Sequence, residues 1–237
     1  MKEITKNSRY KLNKEKTFAS LAINFFVNLN SPKKLPHSTE VMNPYRTREV
    51  QKIICNFFYK FYNDTNNRIF ILGINPGRFG GGITGIPFTD PIRLEENCGI
   101  KNPFPKKLEL SSRFIYKVIE KFGGPELFYS KFYISALYPL ALIKDGVNYN
   151  YYDNKELYFA LKDEIKYFLK KQFQFGAKND FVISLGKKNT KFLKEINDEL
   201  LLFKEIITLE HPRYIMQYRQ KFIGKYISKY LECLNSF

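Results

Sequence analysis

The chain has 237 residues, which fits one large or two small domains, and we expect a single α/β domain with a sizeable core, since 44% of its residues are hydrophobic. Its net charge of +16 indicates a polyanionic partner, most often nucleic acid, with a solvated basic surface as the alternative. Three scattered cysteines without a CxxC pair and only two histidines argue against a zinc or iron–sulfur site, and no apolar run is long enough for a membrane span. We therefore expect a cytoplasmic protein without a metal or other cofactor.

The N-terminal part of the sequence predicts a tail, a helix, a loop and a second helix. The first sixteen residues carry six basic and two acidic side chains, which is typical of an exposed tail. An apolar stretch at 18–29 predicts a helix, the three prolines of 31–44 predict a loop, and apolar residues at helical spacing predict a helix over 45–62. We expect residues 1–40 to form a basic extension with a helix and residues 41–237 to form the catalytic domain.

Beyond residue 62, short apolar runs alternate with helical patterns. Strands are predicted at 68–74, 132–137, 181–185 and 205–209. Helices are predicted from Ser111, as the N-cap, to Phe122, at 154–172, after Gly186 through Leu200, and after His211 and Pro212 to the C-terminus. This alternation predicts a three-layer α/β/α fold with a central four-stranded parallel sheet.

Polar and basic residues follow the predicted strands, where open α/β sheets bind their ligands. Asn75 and a glycine loop follow the first strand, Lys187 and Lys188 follow the third, and His211 and Arg213 follow the fourth. We expect these side chains to gather at one edge of the sheet. The glycines fit GxGxxG, but Pro87 and Pro91 interrupt the segment where a nucleotide-binding helix would begin, so a dinucleotide site is not favoured.

The segment Gly73 to Phe88, GINPGRFGGGITGIPF, resembles motif 1 of the single-strand-selective monofunctional uracil-DNA glycosylases, a family of the uracil-DNA glycosylase superfamily. Leu209 to Pro212, LEHP, resembles motif 2 of that superfamily. Further stretches fit in order, and the similarity runs from Val41 to Ile227. GGGITGIPFTDP and the short HPR are most similar to the second, bacterial subfamily.

The resemblance implies a uracil-DNA glycosylase fold and a mechanism for the matched residues. Asn75 would hold the hydrolytic water near C1′ of the sugar, and His211 would hydrogen-bond O2 of the leaving base. Phe88 would stack on the everted base, and Gly77 would leave room beside C5, so that a 5-substituted uracil is accepted. The absence of a lysine in motif 1 predicts a monofunctional enzyme, in which water attacks the sugar.

One position departs from the better-known subfamily, in which an asparagine reads the base edge. Ala136 stands there, which leaves Ser135 or backbone groups to read the base and opens the range to other deaminated bases. The expected base-binding residues are Gly73, Ile74, Pro76, Gly77, Phe79, Phe88, Ser135 and Ala136. The expected DNA-binding residues are Arg78, Gly186, Lys187, Lys188, Pro212, Arg213, Tyr214 and Arg219. Either Arg213 or Tyr214 would wedge into the base stack, and Asp90 receives no role.

Taken one by one, these residues have ordinary structural explanations: Asn75 before proline suits a turn, His211 a buried histidine, and Phe88 the core. Their order at successive strand ends favours function. We expect a glycosylase that removes uracil or a related deaminated or 5-substituted base from DNA, associated with the bacterial nucleoid and without an obligatory protein partner. The alternatives are a non-catalytic or weakly active binder of damaged or single-stranded DNA and, less favoured by the basic charge, a hydrolase of free nucleosides.

Overall fold

The structure is a computed structural model that describes residues 16–32, 35–36 and 38–237. The helices are α1 (Phe18–Val27), α2 (Arg48–Phe61), α3 (Gly81–Thr84), α4 (Pro91–Glu96), α5 (Leu110–Phe122), α6 (Pro125–Lys131), α7 (Lys155–Phe173), α8 (Lys187–Leu200), α9 (Pro212–Tyr218) and α10 (Ile223–Asn235). The strands are β1 (Glu40–Met42), β2 (Arg68–Gly73), β3 (Phe132–Ala136), β4 (Ala141–Lys144), β5 (Val147–Tyr149), β6 (Ala177–Leu185) and β7 (Glu205–Leu209). All of the expected exposed tail except Lys16 lies outside the described residues, as does His37.

A four-stranded parallel sheet forms the centre of the fold, in the order β3-β2-β6-β7. Every residue of β2 and β3 is buried, as their continuous apolar runs predict for strands covered on both faces. Helices flank the sheet, which confirms the expected three-layer α/β/α fold. Because β2 and β7 run parallel in this sheet, their carboxyl ends lie at the same edge. Asn75 and His211, which follow these two strands, therefore lie at that edge as well.

A second, three-stranded antiparallel sheet in the order β1-β4-β5 was not predicted. Its strands have only three or four residues, and β1 pairs with a strand about a hundred positions later in the chain, Glu40 opposite Ile143. Such short runs carry no readable alternation, and their pairing partners are set by the tertiary fold.

Three helix boundaries differ from the prediction. α5 begins at Leu110 with Glu109 as the N-cap residue, so the predicted cap at Ser111 was wrong. The first residues of the predicted 45–62 helix belong to a 3₁₀ turn, Pro44–Arg46. The next residue, Thr47, is the N-cap of α2, which begins at Arg48. The C-terminal helix is two helices, α9 and α10, separated by a 3₁₀ turn at Gln220–Phe222.

The hydrophobic core is continuous from α1 to α10 and is rich in aromatic side chains. Phe18 and Phe26 of α1, a helix within the predicted N-terminal extension, are buried against α2 and β2, and Tyr230 of α10 packs on Phe114 of α5. Among the described residues, no helix has the length and apolar character needed to cross a lipid bilayer.

Candidate active site

Asn75 is held by the end of the small antiparallel sheet. Its Nδ2 donates a hydrogen bond to the carbonyl of Tyr149 at 3.0 Å, and its Oδ1 accepts one from the backbone N–H of Tyr151 at 3.3 Å. The Tyr151 hydroxyl donates to Oδ1 of the buried Asn189, whose Nδ2 donates to the carbonyls of Leu72 and Gly73 at the end of β2. The amide of Asn75 is therefore fixed in orientation, and each of its polar atoms keeps one further hydrogen-bonding position.

His211 is the N-cap residue of α9, and its ring has a defined tautomer. Nδ1 accepts a hydrogen bond from the backbone N–H of Arg213 at 3.2 Å, so the proton of the neutral imidazole lies on Nε2. Gly186 lies against the ring: it has a φ of 99°, and a Cβ there would stand 3.3 Å from Cβ of His211. The backbone conformation therefore favours glycine, and a Cβ at this position would make a tight contact with His211.

The imidazole of His211 is neutral at physiological pH. Burial, followed by the positive charge of Arg213, lowers its pKa to about 4. The ring therefore offers a ligand the Nε2–H group as a donor and carries no formal charge.

Phe88 lies across the end of β2. Its ring centroid is 6.1 Å from that of His211, with an angle of 44° between the planes. A Cβ on Gly73 would stand 2.5 Å from Cζ of Phe88, so the ring occupies space that only a glycine leaves free. The absence of a side chain at Gly73 therefore makes room for the Phe88 ring.

These groups meet in one small cavity, which opens into a wider groove. The cavity is lined by Asn75, Pro76, Gly77, Pro87, Phe88, Glu109, Ser111, Ala136 and His211. The groove shares part of this lining and adds Ile74, Asn148, Asn150, Tyr152, Arg213, Tyr214, Gln217 and Tyr218. The structure thus brings Asn75, His211 and Phe88 together, as the sequence predicts.

Three of the residues expected to bind the base, Gly73, Phe79 and Ser135, line neither the cavity nor the groove, and Ile74 lines only the groove. The Ser135 side chain is fully buried and donates to Oε1 of Gln172 at 2.5 Å, and neither it nor Phe79 lines the cavity. The Phe79 ring instead lies between two cations, 4.5 Å from the guanidinium of Arg78 and 5.0 Å from the ammonium of Lys107. Ser135, the residue before Ala136, therefore offers no side-chain hydroxyl to the cavity.

Glu109 lines both the cavity and the groove, and the sequence prediction missed it. Although Glu109 is the N-cap residue of α5, its side chain does not cap the helix. A Cβ on Gly77 or on Gly80 would overlap with one of its carboxyl oxygens. The space beside Gly77 is therefore occupied by this carboxyl group. Burial, followed by the charge of Asp90, raises the pKa of Glu109 to about 7, while Arg213 opposes the shift.

Asp90 has a structural role in the same region. Its Oδ1 accepts hydrogen bonds from the backbone N–H groups of Ile92 and Arg93 at the start of α4, and its Oδ2 accepts one from the backbone N–H of Glu109 at 3.1 Å. The backbone N–H of Asp90 donates to the hydroxyl of Ser112. This fully buried carboxylate joins the loop after Phe88 to the first turn of α5 and places Glu109 at the cavity.

The expected DNA-binding cations lie around the groove rather than in the cavity. Arg213 lines the groove, the ammonium of Lys188 lies 4.4 Å from the ring of Tyr152, and the guanidinium of Arg219 lies 5.3 Å from the ring of Tyr214. Lys187 is exposed at the start of α8, while Pro212 is buried as the first residue of α9. Arg78 donates its backbone N–H to Oδ1 of Asn148. Among the described residues, no cluster of three or more histidine, cysteine or acidic side chains could hold a metal ion.

The fold that holds this site is that of the uracil DNA glycosylases. A family model of the uracil DNA glycosylase superfamily matches residues 59–235, which is most of the chain, and the chain therefore belongs to that superfamily. It is a uracil-DNA glycosylase-type hydrolase, and its substrate is DNA. In a comparison with curated proteins, no sequence matches the chain.

Among solved structures, the chain is similar to the crystal structure of wild-type SMUG2 from Pedobacter heparinus. The two are 43% identical, the match covers 93% of this chain and 97% of that chain, and the TM-score is 0.89. This similarity confirms the expected resemblance to the second bacterial subfamily.

Proposed function

We propose that this protein is a monofunctional DNA glycosylase that hydrolyses the N-glycosidic bond of uracil, or of a related deaminated or 5-substituted base, in DNA. The observation that carries the proposal is that Asn75, His211 and Phe88 line one small cavity at the carboxyl edge of the parallel sheet. A base everted from DNA would occupy this cavity, with the sugar and phosphates in the groove.

Asn75 would position the water that attacks C1′. Its amide is fixed by two backbone partners and keeps one lone pair on Oδ1 and one N–H. The transition state resembles an oxocarbenium ion, so a water molecule that is well placed needs little activation by a base.

His211 would stabilise the negative charge that develops on the leaving base. A neutral donor with its proton on Nε2 can hydrogen-bond O2, and it needs no change of protonation state during the reaction. Support for water rather than an amine as the nucleophile comes from the cavity lining, which includes no lysine from the described part of the chain.

The test is a single-turnover assay with uracil-containing oligonucleotides, single-stranded and double-stranded. We expect alkali-labile abasic sites and no borohydride-trapped complex. Asn75→Ala and His211→Ala should each slow excision by about 10²-fold while DNA binding persists, since removal of one preorganised group typically costs that much. Asn179→Ala, an exposed position in the N-terminal part of β6, is the control and should match wild type.

Three results would contradict the proposal in different ways. A borohydride-trapped complex would show a bifunctional enzyme. Full activity of both alanine variants would remove the assigned roles. DNA binding by wild type without excision of any deaminated base would leave the non-catalytic binder as the function.

A further inference from the structure

At the end of β3, where Ala136 stands, the neighbouring polar groups are engaged within the protein. Ser135 is engaged with Gln172, which also donates to the carbonyl of Ala136 at 3.3 Å. The backbone N–H groups of Leu137 and Tyr138 donate to the carbonyls of Gly73 and Ile74. The end of β3 therefore has these polar groups already paired within the protein.

Glu109 is the acidic group of the cavity wall. Its backbone N–H is bound by Asp90, but its carboxyl oxygens make no hydrogen bond with any of the described residues. The carboxyl group is pressed against Gly77 and Gly80, so it is confined to the side of the cavity that Gly77 forms. A confined carboxyl group with unused acceptor positions in a ligand cavity is suited to bind a donor on the ligand.

We propose that Glu109 is a specificity-determining residue that accepts a hydrogen bond from a polar substituent at C5 of an everted pyrimidine. This inference rests on the proposed function and on the position of C5 beside Gly77 that the family resemblance implies. A hydroxyl or hydroxymethyl group at C5 would donate to the carboxylate, whereas a formyl group, which only accepts, would be repelled by it.

The ratio of excision rates for two bases of similar size tests this proposal. Single-stranded oligonucleotides carrying 5-hydroxymethyluracil or 5-formyluracil are compared at pH 8, where most of the Glu109 carboxyl group is ionised. Glu109→Gln retains the shape of the side chain but replaces one acceptor with a donor. We expect the hydroxymethyl-to-formyl ratio to fall by about tenfold, the typical worth of one hydrogen bond to a charged group. Because each rate is divided by the other, a general loss of activity cancels.

Three further variants make the experiment decisive. Glu126→Gln, on the exposed surface of α6, removes the same charge and should leave the ratio unchanged. Glu109→Ala should also lower the ratio, and thermal unfolding checks that both Glu109 variants are folded. Ser111→Ala tests the other polar side chain that α5 brings to the cavity.

If the hydroxymethyl-to-formyl ratio falls by about fivefold or more in both Glu109 variants, the assignment is supported. A smaller change overturns it, and so does a fall of the ratio in Ser111→Ala alone. Wild-type protein that excises neither these bases nor uracil refutes the proposed function itself. Wild-type activity with an unchanged ratio refutes only the role of Glu109.

Discussion

Phe88 holds a backbone conformation that is costly for an aromatic residue, with a φ of 55°. The turn around it is held by several hydrogen bonds: the Thr84 hydroxyl donates to the carbonyl of Thr89 at 2.7 Å, and Asp90 caps the next helix. The strained residue lies in the cavity wall beside His211. The surrounding bonds therefore hold this conformation, in which the Phe88 ring forms part of the cavity wall.

Gly73→Ala tests the position of the Phe88 ring. The new methyl group would stand 2.5 Å from Cζ of Phe88, and β2 cannot shift because it is paired on both sides. We expect the ring to move and uracil excision to slow by about tenfold or more, since base stacking is worth about 1–3 kcal/mol. Single-turnover rates measure the effect. Gly224→Ala, where a Cβ meets nothing within 4 Å, is the control, and equal rates for the two variants would contradict the role of Gly73.

Glu109 should lower the stability of the protein at high pH. Its pKa is about 7 in the folded protein against an ordinary value of 4.5, so between these values the folded state binds more protons than the unfolded state. The free energy of unfolding therefore falls as the pH rises from 4.5 to 7. Above pH 7 the full destabilisation by the ionised Glu109 is present. The pKa of His211 is lowered, so its contribution to stability falls as the pH drops from 6.5 to 4. This effect is the same in wild type and in a Glu109 variant.

We accordingly expect Glu109→Gln to be more stable than wild type by about 3 kcal/mol at pH 8, with the difference vanishing near pH 4.5. Urea unfolding across this pH range measures it. The exposed Glu126→Gln should show no such trend. A difference that is constant with pH would mean that the carboxyl group of Glu109 is not responsible.

The first residue of β2, the buried Arg68, joins several elements and pairs with the partly exposed Asp64. The Arg68 side chain is fully buried, donates to both carboxyl oxygens of Asp64 at 2.9 and 2.7 Å, and donates from Nε to the carbonyl of Tyr129 at 2.7 Å. Its guanidinium lies 5.0 Å from the ring of Phe18 and 4.8 Å from that of Tyr62. The strand that carries Asn75 is thus tied at its start to α1, to α6 and to the chain after α2.

Asp64→Ala should destabilise the fold by about 3 kcal/mol, because it leaves the Arg68 guanidinium buried without its counter-charge. Chemical denaturation measures the change. The control is Asp163→Ala: Asp163 pairs with Lys166 at 2.9 Å but its side chain is 94% exposed, so its loss should cost less than about 0.5 kcal/mol. Equal effects of the two substitutions would contradict the role of the Arg68 pair.

The position of Asn75 depends on an element that the sequence pattern did not reveal. Its two backbone partners follow β5 or end it, more than seventy residues away in the chain. The parallel strands were predicted because each is a continuous apolar run. The antiparallel strands were not, because runs of three or four residues have no periodicity to read.

The charge of the whole molecule should make DNA binding strongly dependent on salt. Each phosphate contact displaces counterions from the DNA. A plot of the logarithm of the binding constant against the logarithm of the salt concentration therefore has a negative slope, of about 0.9 per contact for a duplex and about 0.7 for a single strand. Arg219→Ala, beside Tyr214 at the groove, should reduce the magnitude of this slope by about one contact. Lys178→Ala, exposed in the N-terminal part of β6, should leave it unchanged. Identical slopes for both variants would place the DNA elsewhere.

The sequence by itself determined the parallel sheet, the family and the residues at the strand ends, because apolar runs and a long contiguous motif are local information. The tertiary structure decided which polar groups face the cavity. Glu109 enters it and Ser135 turns to Gln172, a choice made by packing between segments far apart in the chain. It also decided that His211 carries its proton on Nε2, since that depends on where the backbone of Arg213 lies once α9 has formed.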